Sequence, residues 1–311
     1  MTSAICTLFE GDHHYGVGAL ANSLYTQGFR GTIYAGYRGP LPLWTAGAKK
    51  LDGFTEFSPA DGLTLRFIPL TTGIHFAMHK PDFILEVWEQ HCPKTEALFY
   101  FDPDITVKCR WTFFEEWVEA GVAMCADVNP SMSANHPIRH AWKKSSMSRG
   151  IEFRRELDTY FNSGFVGVAS KNKSFLVLWK TLVKKMVESV KVLDVMKFGE
   201  RTEPFNCLDQ DMFNITVMAS ETPISSMGQD GMDFQFGGGG YVMSHSIGSP
   251  KPWNKPFLLT VICRAASPSR TDREYFKHVE FPIRLYPLVV LRFKRFRLLA
   301  ASFLGRFMRN I

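Results

Sequence analysis

The sequence predicts an α/β protein built on a mixed, largely parallel sheet, and three observations point that way. Short apolar runs alternate with amphipathic, helix-length segments; the first strand-helix-strand unit closes by Tyr37; and acidic residues stand where the apolar runs end.

The elements follow in order. Residues 4–10, AICTLFE, form an apolar run that opens at Gly11-Asp12, the pattern of a buried strand entering a loop. From Tyr15 to Gln27, Leu20 and Leu24 share a helical face that Gly28 closes, and TIYAGY at 32–37 supplies the second strand. Two strands joined through a helix make a parallel βαβ unit. Further strands are expected at 63–70, 97–101, 121–127 and 164–170, and helices at 83–91, 113–120, 174–190 and 207–218. In open sheets of this kind ligands bind beyond the carboxyl ends of the strands, where Asp12, Asp102 and Asp104 fall. There is no internal repeat and no low-complexity linker, so one domain is expected over 1–275, followed by a basic amphipathic tail over 281–311.

The charge distribution separates the two. Net charge is +6, yet the stretch from Phe281 onward carries seven Lys or Arg and no acid, which leaves the body near neutral. An apolar fraction of 45% and a charged fraction of 21% are ordinary for a soluble globular chain. The six cysteines show no CxxC pair, and Cys6, Cys125 and Cys263 lie in apolar runs, as reduced core thiols do. The start MTSAICTLFEGDHH lacks the charged and apolar regions of a signal peptide, and no apolar stretch has bilayer length. A cytoplasmic protein is expected.

The segment FYFDPDITV at 99–107 carries two carboxylates, Asp102 and Asp104, around a proline. If the segment stays extended they point to one side, and like charges there call for a divalent cation. An acidic turn ending a strand is the bland alternative. Downstream, HSIGSPKPW at 245–253 supplies an imidazole in His245, a permissive backbone at Gly248, and an ammonium in Lys251 on a loop stiffened by Pro252. Two carboxylates and an imidazole suit a divalent metal with positions left for diphosphate oxygens, and a nearby lysine would neutralise the same diphosphate.

The motif order, an early strand with Tyr15, DPD at 102–104, YFNSGF at 160–165, LDQDMFN at 208–214 and HSIGSPKPW, resembles glycosyltransferase family eight, the glycogenin and lipopolysaccharide galactosyltransferase type with a GT-A fold. The resemblance spans roughly residues 4–257 and implies specific roles. Asp102, Asp104 and His245 would bind manganese or magnesium and hold the diphosphate of a UDP-sugar. Tyr15 would stack on uracil, with Leu8 and Asp12 lining the base pocket. Asn162, Ser163, Asp209 and Gln210 would face the donor sugar, Gly248 and Lys251 the phosphates, and Lys80 would be the basic residue upstream of DPD. The reaction implied is retaining transfer of a hexose to a glycan or glycolipid acceptor. An amide is a poor nucleophile, so same-face attack is expected at Gln210. Asp211 is either a carboxylate near the acceptor or a charge at a helix N-terminus.

The chain departs from the family pattern in FEGDHH before Tyr15, in the long spacing from Lys80 to DPD, and in FGGGGY at 236–241, which reads as a hinge or a long turn. The pairs His75/His79 and His136/His140 have helical spacing but no partner ligands, and Trp88, Trp117 and Trp179 fall on apolar faces, which suits core better than a binding platform. A sugar nucleotidyltransferase would need a basic, glycine-rich loop after the first strand, and FEGDHHYGVG has no Lys or Arg. The tail alone would fit a noncatalytic membrane-surface or nucleic-acid-binding protein. Its basic residues, Arg292, Arg295, Arg306 and Arg309 among them, are interleaved with Leu291, Phe293, Phe296, Leu298, Leu299, Phe303, Leu304 and Phe307, which favours an anionic membrane over nucleic acid. The expected setting is therefore a peripheral one on the inner face of a membrane, with docking of the tail on the protein's own core as the alternative.

Overall fold

The computed structural model of the chain describes residues 1–129, 132–189, 205, 207–235 and 239–308. In chain order the strands are β1 (Ser3–Glu10), β2 (Gly31–Arg38), β3 (Lys49–Lys50), β4 (Thr55–Ala60), β5 (Leu63–Pro69), β6 (Ala97–Phe101), β7 (Ile105–Val107), β8 (Val122–Cys125), β9 (Phe165–Ala169), β10 (Ile224–Met227), β11 (Met232–Asp233) and β12 (Met243–His245). The helices are α1 (His14–Thr26), α2 (Phe76–Glu86), α3 (Trp111–Glu119), α4 (Pro137–Met147), α5 (Ser174–Ser189), α6 (Leu208–Ala219), α7 (Phe257–Arg264), α8 (Arg270–Lys277) and α9 (Leu288–Met308). The chain divides into two compact units, residues 1–6, 71–101 and 113–228 in the first and 7–70, 102–112 and 229–311 in the second, with β1 passing from one to the other.

In the first unit the strands run β10-β8-β9-β6-β1. β6 lies parallel to the start of β1, Ser3 opposite Ala97, and antiparallel to β9, Phe101 opposite Phe165. All five residues of β6 are buried, as a strand covered on both faces requires, so ALFYF reads as a continuous apolar run. Phe165 packs its ring 5.0 Å from Phe101 and 5.3 Å from Trp117, and Trp179 of α5 meets Phe213 of α6 at 4.9 Å. Trp88, Trp117 and Trp179 are core residues, as expected. The helix expected from residue 83 begins at Phe76, runs through Pro81 and ends in a π turn over Val87–His91. His75 and His136 each cap a helix, accepting from the N–H of Ala77 and of Ile138, so both histidine pairs begin at a helix start.

In the second unit the order is β1-β2-β5-β4-β3. β2 is parallel to β5 from Gly31↔Leu63 to Tyr37↔Pro69, while β3 and β4 turn back antiparallel. A separate three-stranded sheet, β11-β12-β7, carries β7 antiparallel to β12. Of FGGGGY, residues 236–238 lie outside the described residues, as do Arg309 of the tail and the last position of the helix expected to reach residue 190.

The tail carries one helix with a buried and an exposed face. Leu291, Leu298, Ala301 and Gly305 are buried along one stripe of α9, which packs against α7. On the opposite side Phe293, Phe296, Leu299, Phe303 and Phe307 are 58% to 67% exposed. Spacings of three, four and seven put these two sets on different faces. Arg292, Arg297 and Arg306 are exposed, whereas Arg295 pairs with Glu280 at 2.6 Å. α7 adds Leu259 and Ile262 to the exposed apolar surface, and Cys263, expected in the core, is exposed beside them. Among the described residues no helix is long and apolar enough to cross a membrane.

Candidate functional site

The carboxylates of DPD converge by a different route from the one strand alternation predicts. β6 ends at Phe101, and Asp102-Pro103-Asp104 form a turn in which the Ile105 N–H donates to the Asp102 carbonyl at 3.1 Å. Pro103 at the second position presets φ for such a turn. β7 then pairs with β12 so that Ile105 lies opposite His245, and the Ser246 N–H donates to the Asp104 carbonyl at 3.0 Å. This register brings His245 Nε2 to 3.2 Å from Asp104 Oδ1 and 3.9 Å from Asp102 Oδ2. α1 closes over the turn at Gly16, where a Cβ would strike the Pro103 carbonyl.

One donor atom from each of Asp102, Asp104 and His245 lies within 4.8 Å of the others, and no second such group occurs among the described residues. Asp104 and His245 are 9% and 5% exposed, while the Asp102 side chain is 21% exposed, so the site is partly buried and open at Asp102. Two carboxylate oxygens and one imidazole nitrogen, converging and partly buried, form a donor set that fits a hard or borderline divalent cation such as manganese or magnesium. Lys251 donates to Asp104 Oδ2 at 2.5 Å and to the Ser246 carbonyl at 2.9 Å. Burial alone would raise the Asp104 carboxyl, but His245 and Lys251 outweigh it and hold the group well below the usual carboxylate range. Gly248 has φ +78°, a left-handed turn that glycine makes without strain.

On the same unit Leu8 is buried in β1, and Asp12 follows in the loop, where Asn254 Nδ2 donates to its carboxylate. Tyr15 opens α1, half-buried, with its ring stacked on Tyr286.

The first unit holds a second polar cluster. Lys80 Nζ, buried on α2, donates to the Ser163 carbonyl at 3.1 Å and sits 3.4 Å from Asp209 Oδ2, which also accepts from Ser163 Oγ at 2.9 Å. Burial pushes the Asp209 carboxyl upward, yet Lys80 and Ser163 bring it below the ordinary value. Asn162 Nδ2 donates to Gln210 Oε1 at 3.1 Å, and the Ser163 N–H to the same oxygen at 3.2 Å. α6 is pinned in register by Asn214, whose amide exchanges 2.8 Å hydrogen bonds with both the N–H and the carbonyl of Phe161. Asn162, Ser163, Asp209 and Gln210, which the sequence groups, are brought together, and Lys80, which the sequence relates only to DPD, joins them. Asp211 turns instead to its own helix start, accepting from the Tyr160 hydroxyl at 2.7 Å and the Cys207 N–H at 3.1 Å, so the helix-terminus alternative describes it.

Sequence reasoning missed Asp127. It is 4% exposed past the end of β8, and Asn162 Nδ2 donates to it at 2.7 Å. The signal was present in GVAMCAD, an apolar run closed by a carboxylate in the same way that β6 is closed by Asp102.

Comparison with solved structures gives the architecture. The apo structure of the bifunctional glycosyltransferase WbbM aligns with a TM-score of 0.54 at 14% identity over 96% of this chain and 52% of that one, so the chain spans about half of WbbM. The galactosyltransferase LgtC with donor and acceptor sugar analogs aligns with a TM-score of 0.53 at 14% identity over 94% of this chain and 99% of that one. The fold is GT-A. An active-site mutant of LgtC aligns equally well, with a TM-score of 0.52 at 15% identity over 94% and 99% of the two chains. No family model matches the chain, and no curated protein matches it in sequence. On this GT-A chain β1·β6 and β2·β5 are parallel, while β9 runs antiparallel beside β6, and β3 and β4 are antiparallel at the outer edge of the second unit.

Proposed function

We propose that the protein is a metal-dependent, retaining glycosyltransferase that moves a hexose from a UDP-sugar to a glycan or glycolipid acceptor. The observation that carries this reading is the convergence of Asp102, Asp104 and His245 beside Lys251 in a chain of GT-A fold. A divalent cation held by those three side chains supplies charge neutralisation to a diphosphate. Lys251 adds a fixed ammonium for the charge that grows on UDP as the anomeric bond breaks. Gly248 leaves its backbone open to the phosphates, and Tyr15, Leu8 and Asp12 take the base.

Asn162, Ser163, Asp209 and Gln210 take the donor sugar, and Lys80 is the basic residue upstream of DPD. Gln210 offers an amide dipole to the anomeric centre and is no nucleophile. The acceptor hydroxyl therefore enters on the face UDP leaves, its proton passing to a phosphate oxygen, and an α-linked donor yields an α-linked product. The segment 281–311 brings the catalytic domain, 1–275, to an anionic membrane: the outward Phe and Leu side chains of α9 enter the headgroup boundary while Arg292, Arg297 and Arg306 meet acidic lipids.

The reading is tested with a panel of UDP-hexoses and manganese, scored by release of UDP without acceptor. Hydrolysis of one sugar above the others, dependent on manganese, is expected. Equal inertness of all donors with and without metal, in a protein shown to be folded, overturns it.

A further inference from the structure

Residues 283–286 lie along a single stripe of α1. Tyr15, Gly18 and Asn22 are three and four residues apart and so share one face of the helix. Asn22 takes Ile283, its Nδ2 donating to the carbonyl and its Oδ1 accepting from the N–H, both at 2.8 Å. Gly18 takes Leu285, whose methyl occupies the place where a Cβ would stand. Tyr15 takes Tyr286, ring centroids 4.9 Å apart and planes 12° from parallel.

The far side of Tyr286 is fixed in turn. Its hydroxyl meets that of Tyr275 at 2.7 Å, and Lys294 Nζ of α9 lies 5.1 Å from its ring centroid while donating to the Trp253 carbonyl at 2.7 Å. Trp253 sets its edge against His13 at 5.6 Å. The loop into α1 is therefore held by the C-terminal segment, and Tyr286 is buried where Tyr15 is only half-buried.

Tyr15 has one other ring neighbour among the described residues, His14 beside it in the chain, with centroids 4.1 Å apart and planes tilted by 35°. We infer that Tyr286 is a positioning residue for the nucleotide base, holding the plane of Tyr15 before the base arrives. The inference rests on the proposed stacking of uracil on Tyr15. A tyrosine without a parallel ring stacked on it is freer to change rotamer, and a base that meets it must supply that ordering; a pre-set ring removes the cost from binding.

The test is calorimetry of manganese-dependent binding of UDP and of inorganic pyrophosphate to the full chain. Tyr286→Leu is expected to weaken UDP by about 2- to 10-fold, the size of one aromatic pair, and to leave pyrophosphate unchanged. Tyr286→Phe, which keeps the ring, is expected to bind both as the parent does. Tyr15→Leu should weaken UDP by more than Tyr286→Leu, again without touching pyrophosphate. If Tyr286→Leu does not fold, Tyr286→Met offers an unbranched, adaptable side chain without a ring and is read the same way. Tyr15→Leu weakening UDP while the Tyr286 variant binds it normally overturns the inference alone. Tyr15→Leu leaving UDP affinity intact overturns the stacking on which it rests. Equal losses for UDP and pyrophosphate in the Tyr286 variant mark a purely structural residue and overturn the inference as well.

Discussion

Lys251 Nζ lies 2.5 Å from Asp104 Oδ2, an ion pair whose carboxylate is almost fully buried. A buried carboxylate without a counter-charge is costly, and here the lysine occupies one oxygen while His245 faces the other. Asp104 is thus kept ionised and aimed, and Lys251 is held at the converging carboxylates.

Removing a ligand should therefore abolish metal-linked nucleotide binding. Asp104→Ala and His245→Ala are each expected to weaken manganese-dependent UDP binding by more than about 100-fold, since even outer-shell changes cost 10- to 100-fold at such sites. Calorimetry with and without manganese measures it, with circular dichroism reporting that the fold persists. Unchanged binding in both variants would remove the metal assignment.

The sugar-facing cluster should separate turnover from affinity. Asp209→Asn removes the buried counter-charge of Lys80, and Gln210→Ala removes the oxygen that accepts from Asn162 and Ser163. Each is expected to lower kcat by about 100-fold, the scale of one lost preorganised polar group, with the Kd for UDP within about twofold. Proton NMR of the product should show an α anomeric signal; a β signal is incompatible with retention.

Substitutions on the outward face of α9 should act on membrane binding alone. Phe296→Ser with Phe303→Ser, and separately Arg292→Glu with Arg306→Glu, are expected to release the protein from anionic liposomes, each cation contributing on the order of 1 kcal/mol near the leaflet. Co-sedimentation at low salt measures the loss, and UDP affinity serves as the control. Retention on liposomes by both double variants would leave the apolar face without that partner.

Glu274 should make one part of the stability acid-sensitive. Burial would raise it, but hydrogen bonds from His278 and Lys277 prevail and hold the carboxyl at about 2 against an ordinary 4.5. A depressed folded value means that the unfolded chain binds the proton first, so the contribution is full above pH 4.5 and is lost as pH falls toward 2. Urea unfolding of the wild type and of Glu274→Gln should show a stability gap that shrinks between pH 5.5 and pH 3.5; a gap independent of pH would contradict the assignment.

Most of the longer strands of the central sheet and most of the helices were legible because they rest on local periodicity, while the short strands β3, β7, β10, β11 and β12 were not. AICTLFE, TIYAGY and ALFYF appear as β1, β2 and β6 within a residue or so at each end, and the stretch at 208–218 appears as α6. The acid-imidazole-lysine set was legible as a set of side chains, and the structure brings Asp102, Asp104, His245 and Lys251 together. What the sequence by itself determined is thus the α/β alternation and the identity of the chemical groups. Their arrangement needed contacts between residues far apart in the chain, which no local pattern encodes. Asp102 and Asp104 meet His245 through a turn and the β7·β12 register; Asp127 enters the polar cluster only because Asn162 is carried to it; and Tyr15 meets Tyr286 only because α1 offers one stripe to the returning chain. For α9 the sequence shows an apolar surface broader than one docking stripe, and only packing against α7 decides which part of that surface is buried and which part remains in solvent.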